Sequence, residues 1–127
     1  MDFLRNFKKK VESLAFGKSS EKLAEKHLRS KGYTIIETNY RCREGEVDIV
    51  ARQGDYLVFC EVKARRNKSY GSALEGVTPQ KIKKIRLAAA HYIHKKKLQG
   101  VDCRFDILTI DKSEDGGIKV ELIQNAF

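Results

Sequence analysis

Apolar residues recur at two different periods along this chain, and the switches between them divide it into elements. Near the start, Phe3, Leu4, Phe7, Val11 and Leu14 recur at helical spacing and predict a short amphipathic helix over 1–16. A second helix is expected to start at a Ser19-Ser20 cap and to stop at Gly32. Leu23, Ala24, His27 and Leu28 form its inward stripe, and Glu21, one turn before Ala24, borders that stripe. The β-forming run from Tyr33 to Asn39 predicts a strand. Two more strands, about 45–52 and 56–64, meet at Gln53-Gly54-Asp55. A long basic helix over 78–97 begins at Thr78 with Pro79 in its first position, a favoured start. Its apolar stripe is Ile82, Ile85, Ala89, Tyr92 and Ile93. Two last strands, about 103–111 and 118–124, flank Asp115-Gly116-Gly117.

The order αβββαββ, preceded by an extra N-terminal helix, predicts an α/β fold in the broad sense, an α+β mixed sheet with helices packed on it. No repeat or Gly/Pro-rich linker interrupts it. The expected organisation is a helical extension at 1–16 and a single domain over 17–127.

A two-residue turn at Gly54-Asp55 would set the register of the central hairpin. Val47 then meets Val62, Ile49 meets Cys60 and Ala51 meets Val58, giving one wholly apolar face. On the other face Val50 meets Phe59, Asp48 meets Glu61 and Glu46 meets Lys63. Like charges directly opposite one another destabilise a strand pair. A divalent cation between Asp48 and Glu61 would turn that repulsion into a ligand set, since Mg²⁺ commonly binds through one or two carboxylates plus substrate phosphate. Lys63, on the same face, could then orient a water or stabilise developing phosphate charge. An odd-length loop would separate the two acids. The plainer alternative is a charged, solvated sheet face with Lys63 blunting an edge strand.

Composition narrows the class. With 41% apolar and 34% charged residues the 127-residue chain reads as a soluble globular protein. Its apolar runs, such as Tyr56-Leu57-Val58-Phe59-Cys60, fall far short of the roughly 20 residues a membrane span needs. The N-terminus lacks the continuous apolar core of a secretory signal. Cys42, Cys60 and Cys103 have no metal-ligand spacing and are expected to be reduced, mostly buried thiols of a cytoplasmic protein. His91 and His94 have no companion ligands either, and are expected to be surface or packing histidines rather than a zinc site.

The net charge of +9 is concentrated: eleven Lys and Arg stand against two acids between Glu61 and Lys97, and the other ninety residues balance. Such a block is either a solvated face or a footprint for phosphates.

The segment GEVDIVARQGDYLVFCEVKARR at 45–66 resembles the core of the PD-(D/E)xK nucleases, which have a restriction-endonuclease-like fold. More closely, the chain resembles the YraN-like family of small bacterial nuclease-like proteins, related to archaeal Holliday-junction resolvases. The likeness covers Gly17, Glu21-x-x-Ala24, Gly32-Tyr33 and Asn39-Tyr40-Arg41, then the two strands just quoted. It continues through Tyr70-Gly71, Val77-Thr78-Pro79-Gln80-Lys81 and Arg104-Phe105-Asp106.

The resemblance implies that Asp48 and Glu61 are metal ligands, Lys63 the catalytic lysine and Glu21 an auxiliary acid. Glu46 is expected to pair with Lys63. Gln80 and Lys81 fall where related nucleases place helix residues toward the scissile phosphate. Cys60 stands where the family more often has a β-branched residue, a harmless change on a buried face.

Together these readings predict a metal-dependent endonuclease, using Mg²⁺ or Mn²⁺, that hydrolyses phosphodiester bonds in DNA. Branched DNA is the substrate to try first. The alternative is a nucleic-acid-binding module that is inactive alone or depends on a partner. Arg65, Arg66, Lys68, Gln80, Lys81 and Lys84 are the expected backbone contacts, which predicts sequence-tolerant, salt-dependent binding. RNA stays open as a substrate, as does a homodimer, and no membrane contact is expected.

Overall fold

The computed structural model describes residue 4, residues 18–66 and residues 76–127. The helix expected over 1–16 lies outside them apart from Leu4, as do Gly17, Lys68 and Tyr70-Gly71.

Helix α1 covers 18–30 and stops as its sequence requires. Gly32 adopts φ 89, its N–H bonds the Arg29 carbonyl, and the Tyr33 N–H bonds the Leu28 carbonyl. This is a glycine-terminated Schellman turn, in which the left-handed residue must lack a Cβ to avoid strain. The chain then enters β1 (Thr34–Cys42), β2 (Gly45–Gln53) and β3 (Tyr56–Arg66). It crosses over through α2 (Pro79–Lys95) to β4 (Asp102–Lys112) and ends with β5 (Ile118–Ile123). The five strands form one sheet in sequence order, with β3 and β4 parallel and the other neighbours antiparallel. Parallel neighbours require a long crossover, which α2 supplies. The expected αβββαββ order and mixed sheet are both present, the arrangement of a restriction-endonuclease-like core.

Most element ends fall within a residue or two of expectation, with one exception. The first strand was expected to stop at Asn39, yet β1 runs on to Cys42. Asn39 takes φ 53, a conformation asparagine tolerates better than most residues, and the strand continues beyond it. Glu37 is also out of simple register with Ile35 against β2.

Alternation along the strands sends two sets of side chains to opposite faces. Ala24 and Leu28 of α1 pack with Ile49, Ala51, Val58, Cys60, Leu108 and Ile110, all buried. On the other face Ile85, Ala88, Ala89 and Tyr92 of α2 pack with Tyr40, Val50, Leu57 and Phe59. Full burial of a side chain such as Leu28 or Phe59 contributes about 1.5–3 kcal/mol, so these two apolar faces hold the helices in place.

α2 starts at Thr78, whose side chain accepts the Lys81 N–H, with Pro79 next. Its position over the sheet is set by a close approach. A Cβ on Gly45 would lie 2.7 Å from the Lys84 carbonyl oxygen, so only glycine lets the first residue of β2 sit against the helix backbone. No helix among the described residues is long and apolar enough to cross a membrane.

Candidate active site

The β2–β3 hairpin follows the expected register from its turn through Ile49/Cys60 and then departs from it. Of the two turn residues only Gly54 has positive φ (57), the pattern of a glycine-first type II′ turn. Beyond Ile49 the ladder ends, so Asp48 and Glu61 are not ladder partners as expected. Instead the Val62 N–H donates to Asp48 Oδ2 at 2.8 Å. A side-chain carboxylate has taken a β3 backbone donor at the point where the ladder stops. This departure accounts for two further corrections. Val47 packs with Tyr40 and the α2 cluster, not on the apolar α1 face with Ile49 and Ala51. Glu46, no longer opposite Lys63, pairs with Arg41 at 3.2 Å.

Glu61 follows Phe59 on the α2 face and is 4% exposed. Lys81, in the first turn of α2, reaches it with Nζ 2.9 Å from Oε1. Burial pushes the Asp48 carboxyl up to about 7, the neighbouring Glu61 charge adds to the rise, and the Val62 N–H and Lys81 oppose it. Lys81 is held above the usual lysine range, chiefly by its hydrogen bond to Glu61. The centre is therefore two carboxylates in a shielded corner, with one ammonium between helix and sheet.

Lys63, two residues beyond Glu61 on the same strand, is half-buried. Its side chain lies over Gly76, where a Cβ would come within 3.0 Å of the Lys63 Cε. Its register neighbour on β4 is Thr109, which is fully buried with no hydrogen-bond partner for Oγ1 among the described residues.

Other candidate residues fall elsewhere. Glu21 is exposed on α1, and no described contact ties it to Asp48 or Glu61. Among the described residues no group of three or more His, Cys, Asp or Glu is placed to hold a metal ion. A pair such as Asp48 and Glu61 would suit a hard cation that completes its shell with water and phosphate oxygens. Arg65 turns onto buried Asp111, with Nε–Oδ1 at 2.8 Å and Nη2–Oδ2 at 3.1 Å, a bidentate pairing that gives it a structural partner. Arg66 is exposed at the end of β3. Lys68 lies outside the described residues. His91 is exposed, and its Nδ1 shares a 2.5 Å hydrogen bond with the Tyr40 hydroxyl. The three thiols are not mostly buried as expected: Cys42 is half-buried and Cys103 exposed, and only Cys60 sits among apolar neighbours, where burial pushes its thiol up.

Gln80, Lys81 and Lys84 come together along an open cleft of about 550 Å³ beside the acid pair. Its opposite wall is the β1–β2 turn, which contributes Arg41 and Arg43 and, among them, the acids Glu44 and Glu46. Sequence reasoning passed over these two arginines. The signal available was their place in the short turn leading into the acidic strand. The contact between Lys81 and Glu61 was missed as well, because Lys81 was assigned to phosphate.

Comparison with known proteins places the chain among close relatives. Residues 20–110 match a family described as "Uncharacterised protein family UPF0102". A UPF0102 protein of Hahella chejuensis (strain KCTC 2396) is 42% identical over 113 residues, covering 89% of this chain and 91% of the relative. One from Syntrophus aciditrophicus (strain SB) is 41% identical, covering 92% and 91%. One from Dehalococcoides mccartyi (strain BAV1) is 44% identical, covering 87% and 90%.

Proposed function

We propose that this chain, which belongs to the UPF0102 (YraN-like) family, is a metal-dependent nuclease that hydrolyses phosphodiester bonds in DNA. The observation that carries the reading is the pair Asp48 and Glu61. One fills the end of a strand ladder, the other is buried, and the Glu61 charge adds to the cost of ionising Asp48. A fold selected for stability alone would place neutral residues there; acids kept at such a cost point to a ligand. Asp48 and Glu61 would hold a Mg²⁺ or Mn²⁺ ion, which when bound supplies charge for a phosphate oxygen and acidity for a water. Lys63, beside them on β3, would donate to the phosphate or orient the attacking water. Gln80, Lys81, Lys84, Arg41 and Arg43 outnumber Glu44 and Glu46 along the cleft, an excess of donors for a phosphate backbone, whose contacts position a strand without reading its bases.

The test is cleavage of labelled four-way junction, flap, duplex and single-stranded DNA in Mg²⁺, Mn²⁺ or EDTA, with Glu61→Ala run alongside. The expected result is metal-dependent cutting that falls to background in the variant, with the preferred substrate narrowing the role. DNA bound but uncut under every condition would replace this reading with a binding module that needs a partner for activity.

A further inference from the structure

We propose that Lys81 is the resident cation of the Asp48–Glu61 pair, that a divalent ion must displace it, and that the displaced ammonium turns to a phosphate in the adjoining cleft. The inference rests on the nuclease reading and adds a competitor and a coupling that this reading does not contain.

Lys81 Nζ lies 2.9 Å from Glu61 Oε1 on a carboxylate otherwise closed off from solvent. A metal ion bound through that oxygen would have to share it with the ammonium. Two cations so close repel strongly in a shielded corner, so occupancy by one disfavours the other. Lys81 is also built to leave. Its side chain is 43% exposed, against 5% for Glu61, and it lines the cleft with Gln80, Lys84 and Arg41. An ammonium on a flexible four-carbon stem can pivot where a forked guanidinium would be held. The backbone beneath it stays fixed by the Thr78 cap and by the packing of Gly45 against Lys84. Rotation of one side chain, without movement of α2, therefore suffices.

Two consequences follow from mass action. The metal-free protein holds Glu61 paired to Lys81, which lowers its affinity for a divalent ion. A nucleic-acid strand in the cleft offers the departing ammonium a new partner, so strand and metal bind cooperatively and each strengthens the other.

Mn²⁺ binding, followed by the electron paramagnetic resonance signal of the free ion, separates these effects from catalysis. Lys81→Met is expected to bind Mn²⁺ about tenfold more tightly than the wild type. A short single-stranded oligonucleotide should tighten Mn²⁺ binding to the wild type and have much less effect on the variant. Lys81→Gln keeps a hydrogen-bond donor near Glu61 without the charge; it should show the same gain and serves if the methionine variant does not fold. Equal or weaker Mn²⁺ binding in both variants would overturn the exchange while leaving the metal site standing. Absence of Mn²⁺ binding in the wild type and both variants would overturn the exchange and the metal site together.

Discussion

Two sets of carboxylates, one centred on buried Asp106 and the other on buried Glu61 with half-buried Asp48, sit one residue apart in the central register, on opposite faces of the sheet. Cys60 is level with Asp106, and Glu61 with Ile107. On the α1 face Asp106 is fully buried and fully occupied. Oδ1 accepts from Arg104 Nε and the Asn125 N–H, both at 2.9 Å, and Oδ2 from Tyr33 at 2.7 Å and Arg104 Nη2 at 2.9 Å. Arg104 in turn reaches Gln53 and lies over the rings of Tyr33 and Tyr56. On the α2 face Asp48 and Glu61 crowd each other, and among the described residues one backbone N–H and one lysine serve them. Burial is common to both sets, and saturation separates them. A buried polar group with every valence filled locks a fold. One left short of partners is costly in the free protein and ready for something else.

The sharpest way to break this contrast is to remove Asp106. Asp106→Ala would strand the Arg104 guanidinium, the Tyr33 hydroxyl and the Asn125 N–H, and should cost about 3–5 kcal/mol. Urea denaturation at neutral pH measures it. A loss below about 1 kcal/mol would mean that this network is as dispensable as a surface pair. The acid pair should respond in the opposite direction. Asp48→Asn keeps an oxygen for the Val62 N–H and removes one of two neighbouring negative charges. In EDTA its stability at neutral pH should rise by about 1 kcal/mol, as at sites where function is held against stability. Added Mn²⁺, which should raise the thermal midpoint of the wild type, should leave this variant unmoved. A variant less stable than wild type in EDTA would show that Asp48 serves the fold first.

How much of this could be read beforehand differs between the two faces. The hairpin register was legible as far as Ile49/Cys60, because a two-residue turn and strict alternation determine it. It failed at Asp48, where a side chain takes a donor that a continued ladder would have used. Alternation cannot foresee that exchange, and the expected places of Val47 and Glu46 failed with it. The end of α1 was legible in Gly32, whereas Asn39 read as a stop and proved to be a left-handed residue inside β1. Arg104-Phe105-Asp106 stood out only as a motif. Its partners Tyr33, Gln53 and Asn125 come from three distant segments that the sheet alone brings together. Lys81 was picked out for its charge, but its contact with Glu61 depends on how closely α2 approaches β2. That approach is permitted by Gly45, a residue whose lack of a side chain carries no charge or periodicity signal.

The smallest expected effect sharpens the contrast from the saturated side. Burial pushes the Tyr33 hydroxyl up to about 12 from 10.0; the hydrogen bond from Gln124 counters part of the rise, and Asp106 adds to it. A proton held more tightly in the folded state than in the unfolded one contributes stability that is complete below pH 10. It is lost as pH rises from there through about 12. Tyr33→Phe keeps the ring and removes the proton, so it should cost about 1 kcal/mol at neutral pH through the lost hydrogen bonds. Above pH 10 the gap between wild type and variant should narrow. Burial also holds Tyr40 and Tyr92 above the usual range, but both remain in the variant, so the difference between the two curves isolates Tyr33. Thermal midpoints measured in parallel from pH 8 upward decide the matter. A gap that stays constant across the window would mean that Asp106 does not depend on the Tyr33 proton, and that Arg104 and the Asn125 N–H saturate it unaided.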